Sequence, residues 1–264
     1  MNLSTDEHRQ AAKSIYEAEQ TGDWTEPVSN RWEHADIEDA YRIGLEVRDL
    51  KLANGRTVKG HKIGFTSKAM RSLVGATEPD YGFLYDDWFV AEGSVVPRGK
   101  MNRPLVEQEL AFVIGSRLAG PSVNAADVIR ATDFVLPALE IVDSRFNGRG
   151  KKLLVDSISD AASCGFVVLG GNPARLTDID IRRISGSLAI NGDIMETGTA
   201  AAVMGNPITA VAWLANKLAE FDVAMEPGDV ILSGSFIKAV PFDAGDSVHA
   251  QFDQLGEVTL MVGE

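Results

Sequence analysis

The sequence predicts an α+β fold, with a small helical N-terminal region at residues 1–58 and a mostly β body at residues 59–264. Three observations carry this. Two capped stretches of helical periodicity fall before residue 58. From Lys59 onward the texture changes to short runs rich in Val, Ile, Leu and Phe, punctuated by Gly, Pro and Asp, which is the pattern of strands and turns. Only a few helical patterns return after that point, so helices are laid against a sheet rather than alternating regularly with strands.

Residues 4–20 read as a helix: Ser4 and Glu7 have capping-box spacing, Ala12, Ile15 and Tyr16 share a face, and Gly22 follows the end. A second helix runs from Ile37 to Leu52, opening after Asp36 and closing at Asn54-Gly55. In KGHKIGF, Lys62 shares a strand face with Gly60 and Gly64, while His61, Ile63 and Phe65 take the other. The flanking glycines are expected to leave open volume around the lysine. SKAMRSLVG is a short helix, and EPDYG after it is a turn that holds Asp80. VEQELAF, FVLPALEIV, CGFVVLGG, DVILSGSF and SVHAQF read as strands. Asn191-Gly192 marks a two-residue hairpin, and EPGD and DAGD mark turns. NPITAVAWLANKLAEF is a helix capped by Asn206 with Pro207 at its first position; Ile208, Val211, Ala212, Ala215 and Leu218 form its stripe.

Composition narrows the function classes. A chain of 264 residues that is 45% hydrophobic can bury a sizeable core. The net charge of −13, with no dense Lys/Arg cluster, argues against a nucleic-acid partner. The single cysteine, Cys164, allows no intrachain disulfide and reads as a small core residue. MNLSTDEHRQ lacks the basic and apolar parts of a secretory signal, and no run approaches the ~20 apolar residues of a membrane span. A cytoplasmic protein without membrane contact is the expectation.

The chemistry concentrates in RPLVEQELAFVIG. Alternation puts Leu105, Glu107, Glu109, Ala111 and Val113 on one strand face, so two carboxylates sit a pleat apart, roughly 7 Å between Cα atoms. They are either a solvent-facing polar edge or a pair that needs a cation. Gln108 on the opposite face and the apolar continuation at Ala111 and Val113 weaken the first reading. Glu140 interrupts the apolar run FVLPALEIV, where it requires a partner: Arg145 nearby, or a metal shared with the other acids. Three isolated acids in apolar strands favour one hard divalent cation held by oxygen ligands. Lys62 is either a surface lysine or a group beside a metal-bound substrate. Asp80, Ser163 in SISDAASCG and Ser235 in GSF are each weak signals alone. His61 and His249 lack metal-ligand spacing and read as packing residues.

GHKIGFTSKAM, EPDYG, VEQELAF, LPALEIVDSR, SDAASCG, GDVILSGSF and NPITAVAWLANKL together resemble the fumarylacetoacetase superfamily, over about residues 35–262. The similarity is to its branch of 2-hydroxydienoate (2-keto-4-pentenoate) hydratases and 4-oxalocrotonate decarboxylases. Within that branch, GRTVKGHKIGFTSKAM, EPDYG and GSFIKAVP look most like the 2-oxo-hept-4-ene-1,7-dioate hydratases. The resemblance implies a mixed β-sheet roll like the fumarylacetoacetase C-terminal domain. It implies Mg²⁺ or Mn²⁺ on Glu107, Glu109 and Glu140, proton transfer by Lys62 and Asp80, and a pocket lined by Ser163 and Ser235. It further implies hydration of a 2-hydroxy-2,4-dienoate in aromatic meta-cleavage catabolism, with 4-oxalocrotonate decarboxylation as the alternative. Homo-oligomers of the decameric kind, and association with a pathway partner enzyme, belong to the same expectation. One departure stands out: Ala161 occupies the place where the family commonly has Asn, which bears on the substrate.

Overall fold

The computed structural model describes residues 2–147 and 154–264. The chain runs through α1 (Thr5–Thr21), α2 (Val28–Arg31), α3 (Ile37–Ala53), β1 (Val58–Gly64), α4 (Lys68–Val74), β2 (Asp80–Tyr85), β3 (Phe89–Val90) and β4 (Val95–Pro97). It continues through β5 (Leu105–Ile114), α5 (Ala125–Ala131), β6 (Thr132–Val142), α6 (Leu154–Ser159), β7 (Cys164–Leu169), β8 (Ser185–Ile190) and β9 (Asp193–Thr199). It ends with α7 (Pro207–Ala219), β10 (Val230–Leu232), β11 (Val240–Pro241), β12 (Ser247–Phe252) and β13 (Gly256–Gly263).

The long N-terminal helices begin where their caps satisfy the free amides of the first turn. Ser4 and Glu7 form a reciprocal capping box on α1, and Gly22 ends it in a left-handed conformation. Asp36 and Asp39 do the same for α3. The two helices enclose a small core of Leu3, Ala12, Ile15, Ile43 and Val47, with Trp32 and Phe146. Asp39 is buried there and accepts hydrogen bonds from the Asn2 and Leu3 amides beside His8 Nε2. Burial alone would raise its carboxyl, but these bonds prevail and hold it down to about 2. Lys51 of α3 ties this region to the sheet: its ammonium is buried, pairs with Glu19 of α1, and lies between the rings of Tyr85 and Trp88.

An eight-stranded mixed sheet follows the order β2-β1-β10-β5-β6-β7-β3, with β11 also paired to β5. A five-stranded mixed sheet follows β4-β13-β12-β8-β9. The pairs β1–β10, β3–β7 and β4–β13 are parallel and the remainder antiparallel. Asn191 (φ 55°) and Gly192 (φ 88°) make the tight connection between β8 and β9. Gln108 looks out of place in the sequence because its role is between sheets. Its side chain is fully buried and donates to the Gln251 carbonyl of the small sheet at 2.7 Å. The helix α7 is capped by Asn206 as predicted, but its buried stripe takes Ala210 and Leu214 instead of Ala212. EPDYG is not simply a turn: Asp80 opens β2, a strand buried along its whole length. No helix among the described residues is long and apolar enough to cross a membrane.

His61 and His249 are packing residues, as expected. His249 is partly exposed beside Glu257. His61 lies 5.0 Å from the Phe83 ring and 6.2 Å from that of Tyr81, and neither of its ring nitrogens has a hydrogen-bond partner among the described residues. Burial, reinforced by Arg48, lowers its pKa to about 3. The folded protein therefore refuses a proton that the unfolded chain accepts, so stability falls as pH drops below about 6.5, by up to ~1.4 kcal/mol per pH unit. Replacing His61 with Phe is expected to remove that slope. Between about pH 6.5 and 4.5 the variant should lose roughly 2–3 kcal/mol less than wild type in urea unfolding; equal losses would contradict the buried neutral imidazole.

Candidate active site

The centre of the large sheet is the antiparallel pair β5–β6, whose register sets Glu107 directly opposite Glu140 and Glu109 opposite Ala138. Alternation then directs all three glutamates to one face. Glu109 and Glu140 are completely buried and Glu107 partly so. One oxygen from each of the three lies within 4.8 Å of the others. Like charges about 5 Å apart repel by roughly 3 kcal/mol at an effective dielectric of 20. Burial, then Glu140 and Glu107, pushes the Glu109 carboxyl well above the usual carboxylate range.

The chain supplies partial compensation. Lys62, itself buried, places Nζ 2.7 Å from Glu140 Oε1 and donates to the Ala162 carbonyl at 3.0 Å. Burial opposes its charge, but Glu140, with Glu107 and Glu109 behind it, outweighs burial and raises its pKa. The Gly234 amide donates to Glu109 Oε2 at 2.8 Å. Glu109 Oε1 has no hydrogen-bond partner among the described residues. Three convergent carboxylates with an orphaned buried oxygen form a donor set that suits a hard divalent cation. Arg145, considered from the sequence as the partner of Glu140, is instead committed to Asp160, with Nε 2.6 Å from Oδ1. The roll of the sheet brings Lys62 into the position that sequence proximity suggested for Arg145.

Lys62 and Asp80 share one face of the β1–β2 ladder, in which Lys62 pairs with Gly82 and Gly64 with Asp80. They are diagonal neighbours on that face. The expectation of open volume around Lys62 does not hold. A Cβ at Gly64 would lie 2.1 Å from Asp80 Oδ1, and one at Gly60 would lie 1.9 Å from the Val230 carbonyl oxygen. The glycines make room for the acid and for a neighbouring backbone. Asp80 is fully buried and accepts from the Ser157 hydroxyl at 3.0 Å.

Ser163 is buried at the end of a short turn, Ala161–Ser163, with its Oγ 3.4 Å from Asp160 Oδ2. Ser235 turns its hydroxyl to the Gln108 and Ile237 carbonyls, at 3.3 and 3.0 Å. Within GSF the group that touches the glutamates is thus the Gly234 amide. Sequence reasoning misses this amide and the Ala162 carbonyl because backbone groups carry no residue-type signal. The Arg145–Asp160 pair did leave a signal, two charges in adjacent buried segments, but not which partner each would take.

Residues 59–262 match the fumarylacetoacetate (FAA) hydrolase C-terminal family. The chain is 43% identical over 258 residues to the 2-oxo-hept-4-ene-1,7-dioate hydratase of Escherichia coli, covering 96% of both. It is 37% identical over 232 residues to the 4-oxalocrotonate decarboxylase of Pseudomonas sp. strain CF600, covering 88% of both. A solved structure of 4-oxalocrotonate decarboxylase from Pseudomonas putida G7, complexed with magnesium and adipate, superposes with a TM-score of 0.95 at 34% identity, over 99% of each chain. With a family match running from β1 to β13 and relatives that align nearly end to end, the chain belongs to the FAA hydrolase C-terminal family.

Proposed function

We propose that this protein is a divalent-metal-dependent hydro-lyase. It adds water to a 2-hydroxy-2,4-dienoate of the 2-hydroxypenta-2,4-dienoate or 2-oxo-hept-4-ene-1,7-dioate type, giving a 4-hydroxy-2-oxo acid in aromatic meta-cleavage catabolism. The observation that carries the reading is the buried cluster of Glu107, Glu109 and Glu140 with Lys62 at 2.7 Å from Glu140. Its setting supports the substrate class, since the Escherichia coli relative bears a hydratase name.

In this reading Glu107, Glu109 and Glu140 hold Mg²⁺ or Mn²⁺. When bound, the cation supplies Lewis-acid stabilisation of negative charge developing on the 2-oxo acid unit. The protein's own groups handle protons. Two of the three Lys62 N–H donors are directed by Glu140 and the Ala162 carbonyl, which leaves one to meet the substrate. Asp80, its diagonal neighbour, is held by Ser157 as the second proton-handling group. Ketonisation removes the proton of the 2-hydroxyl and delivers one to the far carbon of the diene. Water oxygen then adds to the β-carbon of the resulting enone, and a proton returns to its α-carbon. Burial of Lys62 and Asp80 keeps these transfers away from bulk solvent. Ser163 and Ser235 are assigned to the substrate pocket, one on the turn that holds Lys62 and the other beside the amide that holds Glu109.

Homo-oligomeric assembly, a pathway partner and a cytoplasmic location complete the reading. The exposed apolar side chains of Val95 and Met261, paired across β4 and β13, and of Ile194 and Met195 on the edge strand β9 support assembly. Decarboxylation is the second reading, favoured by the decarboxylase structure with a TM-score of 0.95. The same electron sink that stabilises a dienolate also accepts the pair left by departing CO₂.

Purified protein with Mg²⁺ is expected to bleach the dienol absorbance of 2-hydroxypenta-2,4-dienoate or its longer dicarboxylic analogue and to yield the 4-hydroxy-2-oxo acid. No loss of dienol on either substrate would contradict hydration. CO₂ release from 2-oxo-3-hexenedioate without a hydrated product would select the decarboxylase. Glu109→Gln keeps the side-chain shape and an oxygen for the Gly234 amide while removing a charged ligand. Calorimetric titration with Mn²⁺ should show affinity weakened roughly 100-fold, the upper range for losing even a supporting group; unchanged affinity would remove Glu109 from the ligand set.

A further inference from the structure

The segment joining α6 to β7 is built in a way that the reaction scheme leaves unexplained. Ala161, Ala162 and Ser163 occupy consecutive left-handed conformations, with φ 49°, 51° and 63°. Residues with a Cβ visit this region singly and against a steric penalty, so a run of three persists only where the surroundings over-determine it.

Those surroundings are a buried ion pair. Arg145 Nε lies 2.6 Å from Asp160 Oδ1, and Asp160 Oδ2 accepts from the Arg145 amide and the Ser144 hydroxyl, both at 3.0 Å. The guanidinium also spans the turn, donating to the Asp160 carbonyl at its start (3.2 Å) and the Cys164 carbonyl at its end (2.5 Å). The Ser163 amide closes the loop on the Asp160 carbonyl at 2.7 Å. From the other side the turn rests on Gly82, which faces Lys62 across the β1–β2 register. A Cβ on Gly82 would lie 2.2 Å from the carbonyl carbon and oxygen of Ala161.

A buried ion pair adds little net stability over an apolar pair of similar volume. Here it yields orientation. The strained turn aims the Ala162 carbonyl at Lys62 Nζ, 3.0 Å away, and the same nitrogen lies 2.7 Å from Glu140. We propose that Arg145 and Asp160 are positioning residues for the reaction: their ion pair locks the left-handed turn 161–163 so that the Ala162 carbonyl fixes the Lys62 ammonium over the carboxylate cluster. Gly82 belongs to the same device, because only a residue without a Cβ lets the turn approach the lysine. The proposal rests on Lys62 acting on the substrate as described above.

Three full-length variants test it. The matched double variant Arg145→Gln/Asp160→Asn removes both charges at once, so no lone charge is left buried. Gly82→Ala displaces the turn from the opposite side without touching the ion pair and decides the question if the double variant does not fold. Lys62→Met checks the premise. kcat and KM on 2-hydroxypenta-2,4-dienoate are measured per Mn²⁺-binding site, counted by Mn²⁺ titration of the same sample. The expected result is kcat per site reduced roughly 100-fold, the effect of an ångström-scale misplacement, with KM and Mn²⁺ affinity close to wild type. Wild-type kcat per site in the folded clamp variants, with Lys62→Met inactive, would overturn the clamp alone. So would a loss of kcat matched by loss of Mn²⁺ sites, since that reports unfolding. Full activity in Lys62→Met would overturn the proposal at its premise.

Discussion

Three carboxylates share one water-poor space on the β5–β6 ladder, and their mutual repulsion is the constraint around which the rest of the site is arranged. The register that sets Glu107 against Glu140 would be unfavourable in an ordinary sheet. The fold answers with a buried ammonium, a backbone amide and a donor geometry suited to a divalent cation. Lys62 arrives from β1, and the Gly234 amide arrives just beyond β10. Each depends on the order of strands in the sheet, so site and topology are inseparable.

A second layer holds the first. Lys62 is fixed by a carbonyl in a strained turn, the turn is clamped by Arg145 and Asp160, and Gly82 clears the space beneath it. Asp80 fills the volume that Gly64 leaves and is itself held by Ser157 of α6. Residues distant in sequence thus set the angle of one ammonium and one carboxylate, the two groups through which the proposed chemistry moves protons. The substrate tail remains the business of the pocket beyond this cluster, near Ala161 and the serines.

Local rules made much of this legible in the sequence. Capping boxes announced α1 and α3, Asn191-Gly192 announced its hairpin, and a period of two put Glu107 and Glu109 on one face. Where reasoning failed, long-range packing had overridden a local signal. Asp80 and Gly82 read as turn chemistry in EPDYG, yet both lie in a fully buried strand, one to serve the site and the other to admit the turn. Arg145 was the nearest cation to Glu140 along the chain, but register and curvature delivered Lys62 instead. Gln108 looked odd until the second sheet supplied its partner. Backbone donors and acceptors such as those of Gly234 and Ala162 have no residue-type signature and require coordinates.

The central claim is that Glu107, Glu109 and Glu140 form one metal centre beside Lys62. Anomalous diffraction from crystals grown with Mn²⁺ tests it directly. The account predicts one strong site per chain within about 2.0–2.3 Å of an oxygen from each of the three glutamates, with Lys62 close by and not bound to the metal. Bound Mn²⁺ held by other residues, or density that excludes any one of the three carboxylates, would contradict it.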